Sequence, residues 1–169
     1  MKRLYLVRHA KSDWTYEGLP DIDRPLSERG YRDAHLMSKH LLGKKHQPDG
    51  IVSSPAIRAI NTALIFARNM NFPENKIQLN SLLYNSTAET YIAQLSGLHD
   101  ELKNVFVFGH NPTISKVVTI LTDSEDKAMP DGRQEMPTCC IACIEFKGNS
   151  WKATDSVSLL WMESPKSHP

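Results

Sequence analysis

The chain has no long hydrophobic run. Nowhere in its 169 residues do the roughly 18 apolar residues of a membrane span follow one another. Only four apolar residues, Leu4 to Val7, lie between Lys2-Arg3 and Arg8, too few for the apolar core of an export signal. The expectation is a soluble, cytoplasmic protein with no membrane partner. Charge of one sign is also lacking: 20 basic residues face 19 acidic ones, with no long basic run and no interleaving of aromatic and basic residues. That balance argues against a nucleic-acid partner. Cysteine is scarce. Cys139, Cys140 and Cys143 are an odd number without an export signal, which argues against a disulfide framework. Cys140 and Cys143 have metal-ligand spacing, but they lie in a strand-like stretch where residues three apart face opposite ways, and no second Cys/His pair follows. Buried thiols are expected, and no metal or cofactor.

What is present reads as one α/β domain over residues 1–163, followed by a loose tail at 164–169. Short apolar runs alternate with helical patterns, the signature of parallel strands joined by crossover helices. Strands are predicted at Leu4 to Arg8, Gly50 to Ser53, Ile77 to Leu79, Val105 to Gly109, Cys139 to Phe146 and Val157 to Met162. The last two, joined only by polar residues around Gly148-Asn149-Ser150, are expected to pair antiparallel. Ser27 should cap a first helix that ends near Gly43, with Leu26 and Tyr31 as a hydrophobic staple and Tyr31, Ala34, Met37 and Leu41 as its apolar stripe. Ser54 should cap a second helix that starts at Pro55 and buries Ala56, Ile60, Ala63, Leu64 and Ala67. Ser86 and Glu89 have capping-box spacing before a third helix that buries Ile92 and Leu95. A fourth follows Pro112 through Ile114, Val117, Val118 and Leu121.

Chemistry gathers at three predicted strand ends. Arg8-His9 follows the first run, Ser53-Ser54-Pro55 with Arg58 follows the second, and Gly109-His110-Asn111 ends another. In open parallel sheets, ligands sit outside the carboxyl ends of the strands, so these groups are expected to converge. Guanidiniums bind phosphate oxygens through paired hydrogen bonds, and a helix amino end adds partial positive charge. A neutral imidazole can attack phosphorus. His9 is therefore the candidate nucleophile, Arg8 and Arg58 the candidate clamps, and His110 a donor to a phosphoryl oxygen, assigned the charged state that the nearby Arg residues would oppose. Taken singly, each is more simply read as a core or surface residue. Three strand ends all supplied with phosphate-compatible groups outweigh that reading.

With these motifs the chain resembles the histidine phosphatase superfamily, the phosphoglycerate mutase-like group, and most of all its compact SixA-type branch of phosphohistidine phosphatases. The resemblance runs from Lys2 to about Met162. It is carried by Leu6-Val7-Arg8-His9-Ala10-Lys11-Ser12, Arg24-Pro25-Leu26-Ser27-Glu28-Arg29-Gly30, Ser53-Ser54-Pro55-Ala56-Ile57-Arg58-Ala59 with Thr62, and Phe108-Gly109-His110-Asn111-Pro112. It implies a three-layer α/β/α sandwich with a mostly parallel sheet and an antiparallel C-terminal strand pair. It also implies metal-independent hydrolysis through a phosphohistidine on His9, with Arg8, Arg58 and His110 in the phosphate pocket.

Two departures from the family pattern bear on substrate. Ala10-Lys11-Ser12 replaces the Gly of many members and the Gly-Glu-Ser of the mutases, which weakens a mutase reading, as does the short chain. Asn85 stands where larger relatives carry a carboxylate, and it has no titratable proton. Asp13 and Glu89 remain as candidate proton donors, with Asp23 comparable, although Asp23 could instead pair with Arg24. Imidazole has a pKa of about 6.5 and needs less help to leave than an alcohol. The expected partner is thus a phosphorylated protein carrying phosphohistidine. The alternatives are a small phosphorylated metabolite as substrate of a phosphatase or mutase, or a catalytically idle phosphoprotein-binding module. Ser12 and Lys11 are candidate substrate contacts, and Trp14 and Tyr16 could line the pocket mouth or pack beneath their loop.

Overall fold

The structure, a computed structural model, describes residues 1–122 and 133–168. Four helices and six strands alternate along it. In chain order they are β1 (Lys2–Arg8), α1 (Glu28–Gly43), β2 (Gly50–Ser53), α2 (Ile57–Asn69), β3 (Gln78–Leu79), α3 (Ala88–Ser96), β4 (Asn104–Gly109), α4 (Thr113–Thr122), β5 (Ile141–Phe146) and β6 (Val157–Glu163). They build one sheet in the order β3-β2-β4-β1-β5-β6. β3, β2, β4 and β1 pair in parallel, while β5 runs antiparallel to both β1 and β6. The expected mixed sheet and antiparallel C-terminal pair are both present.

The central strands are apolar without a break because both faces of the sheet are covered. Leu4, Leu6, Val105 and Val107 point into a core shared with Tyr91 and Leu95 of α3 and Ile114, Val117 and Val118 of α4. Tyr5, Val7, Phe106 and Phe108 point the other way, into a core shared with Ala34, Met37 and Leu41 of α1 and Ala63, Phe66 and Ala67 of α2. Cys140 and Cys143 fall in opposite cores, as the period of two requires, and no disulfide joins the buried cysteines.

Helix starts differ from the pattern-based reading in instructive ways. Ser27 caps α1 as expected, accepting from the Gly30 amide, but Tyr31 is exposed, and Gly30 and Ser38 join Ala34, Met37 and Leu41 on the buried face. Ser54 does not cap α2. The helix begins at Ile57, and the slip turns Arg58, Ala59, Thr62 and Phe66 inward while Ile60 and Leu64 are only partly buried. The capping box of Ser86 and Glu89 is absent as well. Thr87 caps α3 by accepting from the Thr90 amide, and Tyr91, not Ile92, fills the center of the core. The tail expected to be loose is docked: Pro165–Ser167 form a 3-10 turn with a capping box from Ser164 and Ser167, and His168 reaches Glu163.

Candidate active site

Strand register brings the site together. Arg8 of β1 lies opposite Gly109 of β4, and Phe108 lies opposite Ser53 of β2, so the residues that follow each strand emerge at one level. His9 and His110 come out side by side with ring centroids 5.1 Å apart. Arg58 reaches them from the first turn of α2, its Nε 3.4 Å from His9 Nε2. The later start of α2 therefore leaves Arg58 where the sequence expectation put it.

The four residues expected to converge do so around a hollow of about 350 Å3, which Lys11, Ser12, Trp14, Asp21, Arg24, Tyr84 and Asn85 help to line. A cleft of about 880 Å3 adjoins it and shares His110, Asn85 and Asn111, but it contains neither guanidinium nor His9. The smaller hollow therefore holds the phosphate-compatible chemistry.

His9 is only 7% exposed, and its protonation state follows from its contacts. A backbone carbonyl can only accept, so the 2.7 Å contact with the Ala10 carbonyl fixes the proton on Nδ1 and leaves the Nε2 lone pair toward Arg58. Burial, with smaller contributions from His110 and the two arginines, pushes the His9 pKa down to about 3. The ring is thus a neutral base over the physiological range. His110 is also driven down, to about 4, by burial and then by Arg58. The charged state assigned to it is not the one this geometry favors. Its Nε2 lies 2.7 Å from Ser54 Oγ, and its Nδ1 is buried without a hydrogen-bond partner among the described residues.

Neighboring segments hold these groups in place. The Ala10 amide donates to Thr62 Oγ1, whose hydroxyl donates to the Arg58 carbonyl, tying the loop after His9 to α2. Arg8 and Asn111 both donate to the Met136 carbonyl, so the ends of β1 and β4 share one anchor. The Arg24–Gly30 motif also has a structural role. The Ser27 amide and hydroxyl donate to the Lys11 carbonyl, Pro25 accepts from the Asp13 amide, and Gly30 packs so closely on Lys11 that a Cβ would strike its carbonyl oxygen.

Asp21 was not singled out by the sequence reading, and it is the best-connected carboxylate in the hollow. Arg24 donates to its Oδ1 through Nε and Nη2 at 3.1 and 2.8 Å, and Arg58 Nη2 and Tyr84 Oη donate to Oδ2 at 2.9 and 2.8 Å. Partial burial alone would raise its pKa, but these hydrogen bonds outweigh burial and hold the carboxyl well below the usual carboxylate range. The partner of Arg24 is therefore Asp21 and not Asp23. Only the spacing of Asp21, three residues before an arginine in a loop, signaled this.

The candidate proton donors lie elsewhere. Asp13 accepts from the Thr15 amide and hydroxyl in an exposed local turn and does not line the hollow. Glu89 is exposed on the larger cleft, with its pKa lowered by its own backbone amide and Thr87. Ser12 is buried and accepts from Arg24 Nη1, while Lys11 is exposed at the rim. Trp14 is 69% exposed, with the Arg24 guanidinium 3.5 Å from its ring centroid, so it lines the mouth and does not pack beneath the loop.

A parallel-sheet floor that presents a neutral imidazole between guanidiniums defines a protein built for phosphoryl groups. Comparison with known proteins makes this specific. Residues 4–83 match the model of the histidine phosphatase superfamily, branch 1. An uncharacterized protein of Mycobacterium tuberculosis is 30% identical over 146 residues, covering 85% of this chain and 89% of that protein. Escherichia coli phosphohistidine phosphatase SixA is 27% identical over 128 residues, covering 75% of this chain and 78% of its own. The crystal structure of the candidate phosphohistidine phosphatase SixA of Agrobacterium tumefaciens superposes with a TM-score of 0.80 at 29% identity, covering 97% of this chain and 98% of that one. The chain belongs to the histidine phosphatase superfamily and is SixA-like in fold. No helix among the described residues is long and apolar enough to cross a membrane.

Proposed function

We propose that this phosphatase removes the phosphoryl group from phosphohistidine in a protein, through a covalent intermediate on His9. The observation that carries the mechanism is the state of His9: its Nδ1 proton is held by the Ala10 carbonyl and its Nε2 lone pair faces the hollow beside Arg58. Nε2 attacks phosphorus as the bond to the leaving nitrogen breaks; the substrate ring departs with the proton already carried on its other nitrogen, giving phosphohistidine on His9 and neutral imidazole on the substrate. Water then attacks the phosphoenzyme, releasing phosphate and restoring the neutral ring. Arg8 and Arg58 bind the equatorial oxygens and stabilize the charge that builds on them, so the scheme calls on no metal. His110 donates to a phosphoryl oxygen, and the incoming negative charge raises its proton affinity. Ser12 within the hollow and Lys11 at its rim extend the anion site.

The substrate class follows from the carboxylates. Among the described residues only Asp21 brings one into the hollow, and its hydrogen bonds keep it ionized. A site without a ready proton suits a leaving group that needs little protonation, as imidazole does and an alkoxide does not. Asp13 and Glu89, outside the hollow, contribute no proton in this reading. The test is a time course with a phosphorylated His-containing carrier protein beside phosphosugars, phosphoglycerates and nucleotides. Release of phosphate from the carrier should be fastest, with acid-labile label trapped on wild type and none on His9→Ala. Faster turnover of a small ester would overturn the substrate assignment. Labeling of His9→Ala would overturn the mechanism.

A further inference from the structure

Three side chains far from one another in the sequence meet at the outer edge of the sheet, and none of them lines the catalytic hollow. His40 comes from the last turn of α1, Glu163 from the end of the edge strand β6, and His168 from the folded tail. Both imidazoles present the same nitrogen to the same oxygen: His40 Nε2 lies 2.7 Å and His168 Nε2 3.1 Å from Glu163 Oε2. The ring centroids are 3.8 Å apart, and the three ligand atoms all lie within 4.8 Å of one another.

We propose that His40, Glu163 and His168 form a binding site for a divalent transition ion of the zinc class, which fastens the C-terminal tail to α1. Two imidazole nitrogens and one carboxylate oxygen are a donor set that zinc takes, with a water in the fourth position. Bonds of about 2.0–2.1 Å in a tetrahedron hold ligand atoms about 3.4 Å apart, so each of the two His–Glu163 contacts needs to open by less than an ångström. Glu163 is prepared to ligate through one oxygen, because Lys44 Nζ occupies the other at 2.7 Å and fixes the carboxylate plane. The ligands are 19 to 24% exposed, which gives an ion a way in and leaves room for water. Glu163 Oε2 can only accept, so both Nε2 atoms now donate to it; each must give up that proton, to its own Nδ1 or to solvent, before it ligates. Sheet, helix and capped tail already place all three donors, so little ordering remains for the ion to impose.

The test is zinc uptake by the untagged full chain, measured by titration calorimetry and by metal content after dialysis, with thermal melting alongside. One equivalent should bind and raise the melting temperature. Affinity should fall about a hundredfold in His168→Ala and in Glu163→Gln, and remain in His9→Ala. His168→Ala touches only the tail, so its melting temperature without zinc reports whether the fold survives. Absence of uptake, uptake unchanged in His168→Ala, or uptake abolished by His9→Ala would each overturn the site; the first would leave the cluster a hydrogen-bonded clasp. None of these outcomes depends on phosphatase activity, so the proposal stands or falls apart from the catalytic reading.

Discussion

The floor and the roof of the hollow are built by different physics. The floor is the carboxyl end of β1, β2 and β4, where sheet register sets Arg8, His9 and His110 and leaves Arg8 Nε and His110 Nδ1 buried without partners among the described residues. Leaving buried donors and acceptors unmatched costs free energy, and here the cost is borne by the two apolar cores beneath them. The roof is the segment from Lys11 to Arg24. It has almost no core of its own and is held by charge: Asp21 bridges Arg24, Arg58 and Tyr84. In the proposed mechanism, a floor set by packing and a roof fastened by ion pairs would let a phosphoryl group replace the roof's carboxylate without disturbing His9.

Arg58 joins the two regions, and removing it should have the largest effect. In the proposed mechanism Arg58→Ala removes one of two phosphoryl clamps, so kcat should fall on the order of a hundred- to a thousandfold. Arg58→Lys keeps the charge but not the fork and should recover only part of it. Wild-type turnover in Arg58→Ala would show that the roof, not the floor, binds the phosphoryl group.

Acid should expose the floor next. The folded pKa values of His9 and His110, about 3 and about 4, lie below the unfolded value of about 6.5. The unfolded chain therefore binds more protons than the folded one in this range, so stability rises with pH and is lost as pH falls from about 6.5 toward 4. The loss should be on the order of several kcal/mol in total, and urea denaturation at pH 7, 5.5 and 4.5 measures it. His9→Asn should flatten the slope by roughly half. An unchanged slope would mean that His9 is not desolvated as its burial indicates.

The sequence revealed the floor because its residues obey strong local rules. A buried parallel strand is a continuous apolar run, and Arg8, Ser53 and Gly109 each stand where such a run ends, so three ends could be identified without coordinates. Helix caps were harder to place: Ser54 and Ser86 have capping chemistry, yet Ser54 meets His110 and Thr87 takes the cap of α3. Spacing alone does not say which of two adjacent hydroxyls turns toward an amide. The roof was least legible. Asp21 matters through partners 3, 37 and 63 residues away, and no periodicity links an aspartate in a loop to Arg58 or Tyr84. The folded tail was hidden for the same reason, since its contacts are with α1 and β6.

The joint between roof and α1 depends on Gly30. A methyl group there would strike the Lys11 backbone carbonyl, and backbone cannot swing aside as a side chain can. Gly30→Ala should cost about 1–3 kcal/mol, seen as a lower urea midpoint. It should also raise KM more than it lowers kcat, because the displaced loop carries Lys11 and Ser12 while His9 stays in register. Equal losses in kcat and kcat/KM would instead place the nucleophile on the roof's side of the comparison.

The smallest effect expected is also the sharpest test of how the roof is fastened. Asp21 competes with any phosphoryl group for Arg58 and adds a negative charge near the incoming anion. Neutralizing it in Asp21→Asn keeps the shape and removes the competition, so inorganic phosphate should inhibit several-fold more tightly, in line with about 1 kcal/mol for a partly exposed pair. Release of product should slow correspondingly. If Asp21 instead supplied a proton to the leaving group, the same variant would lose kcat on alkyl esters while turnover of phosphohistidine held steady. Tighter phosphate inhibition with no ester-selective loss would identify Asp21 as a displaceable occupant of the anion site, and the reverse pattern would give the hollow the acid that Asn85 cannot provide.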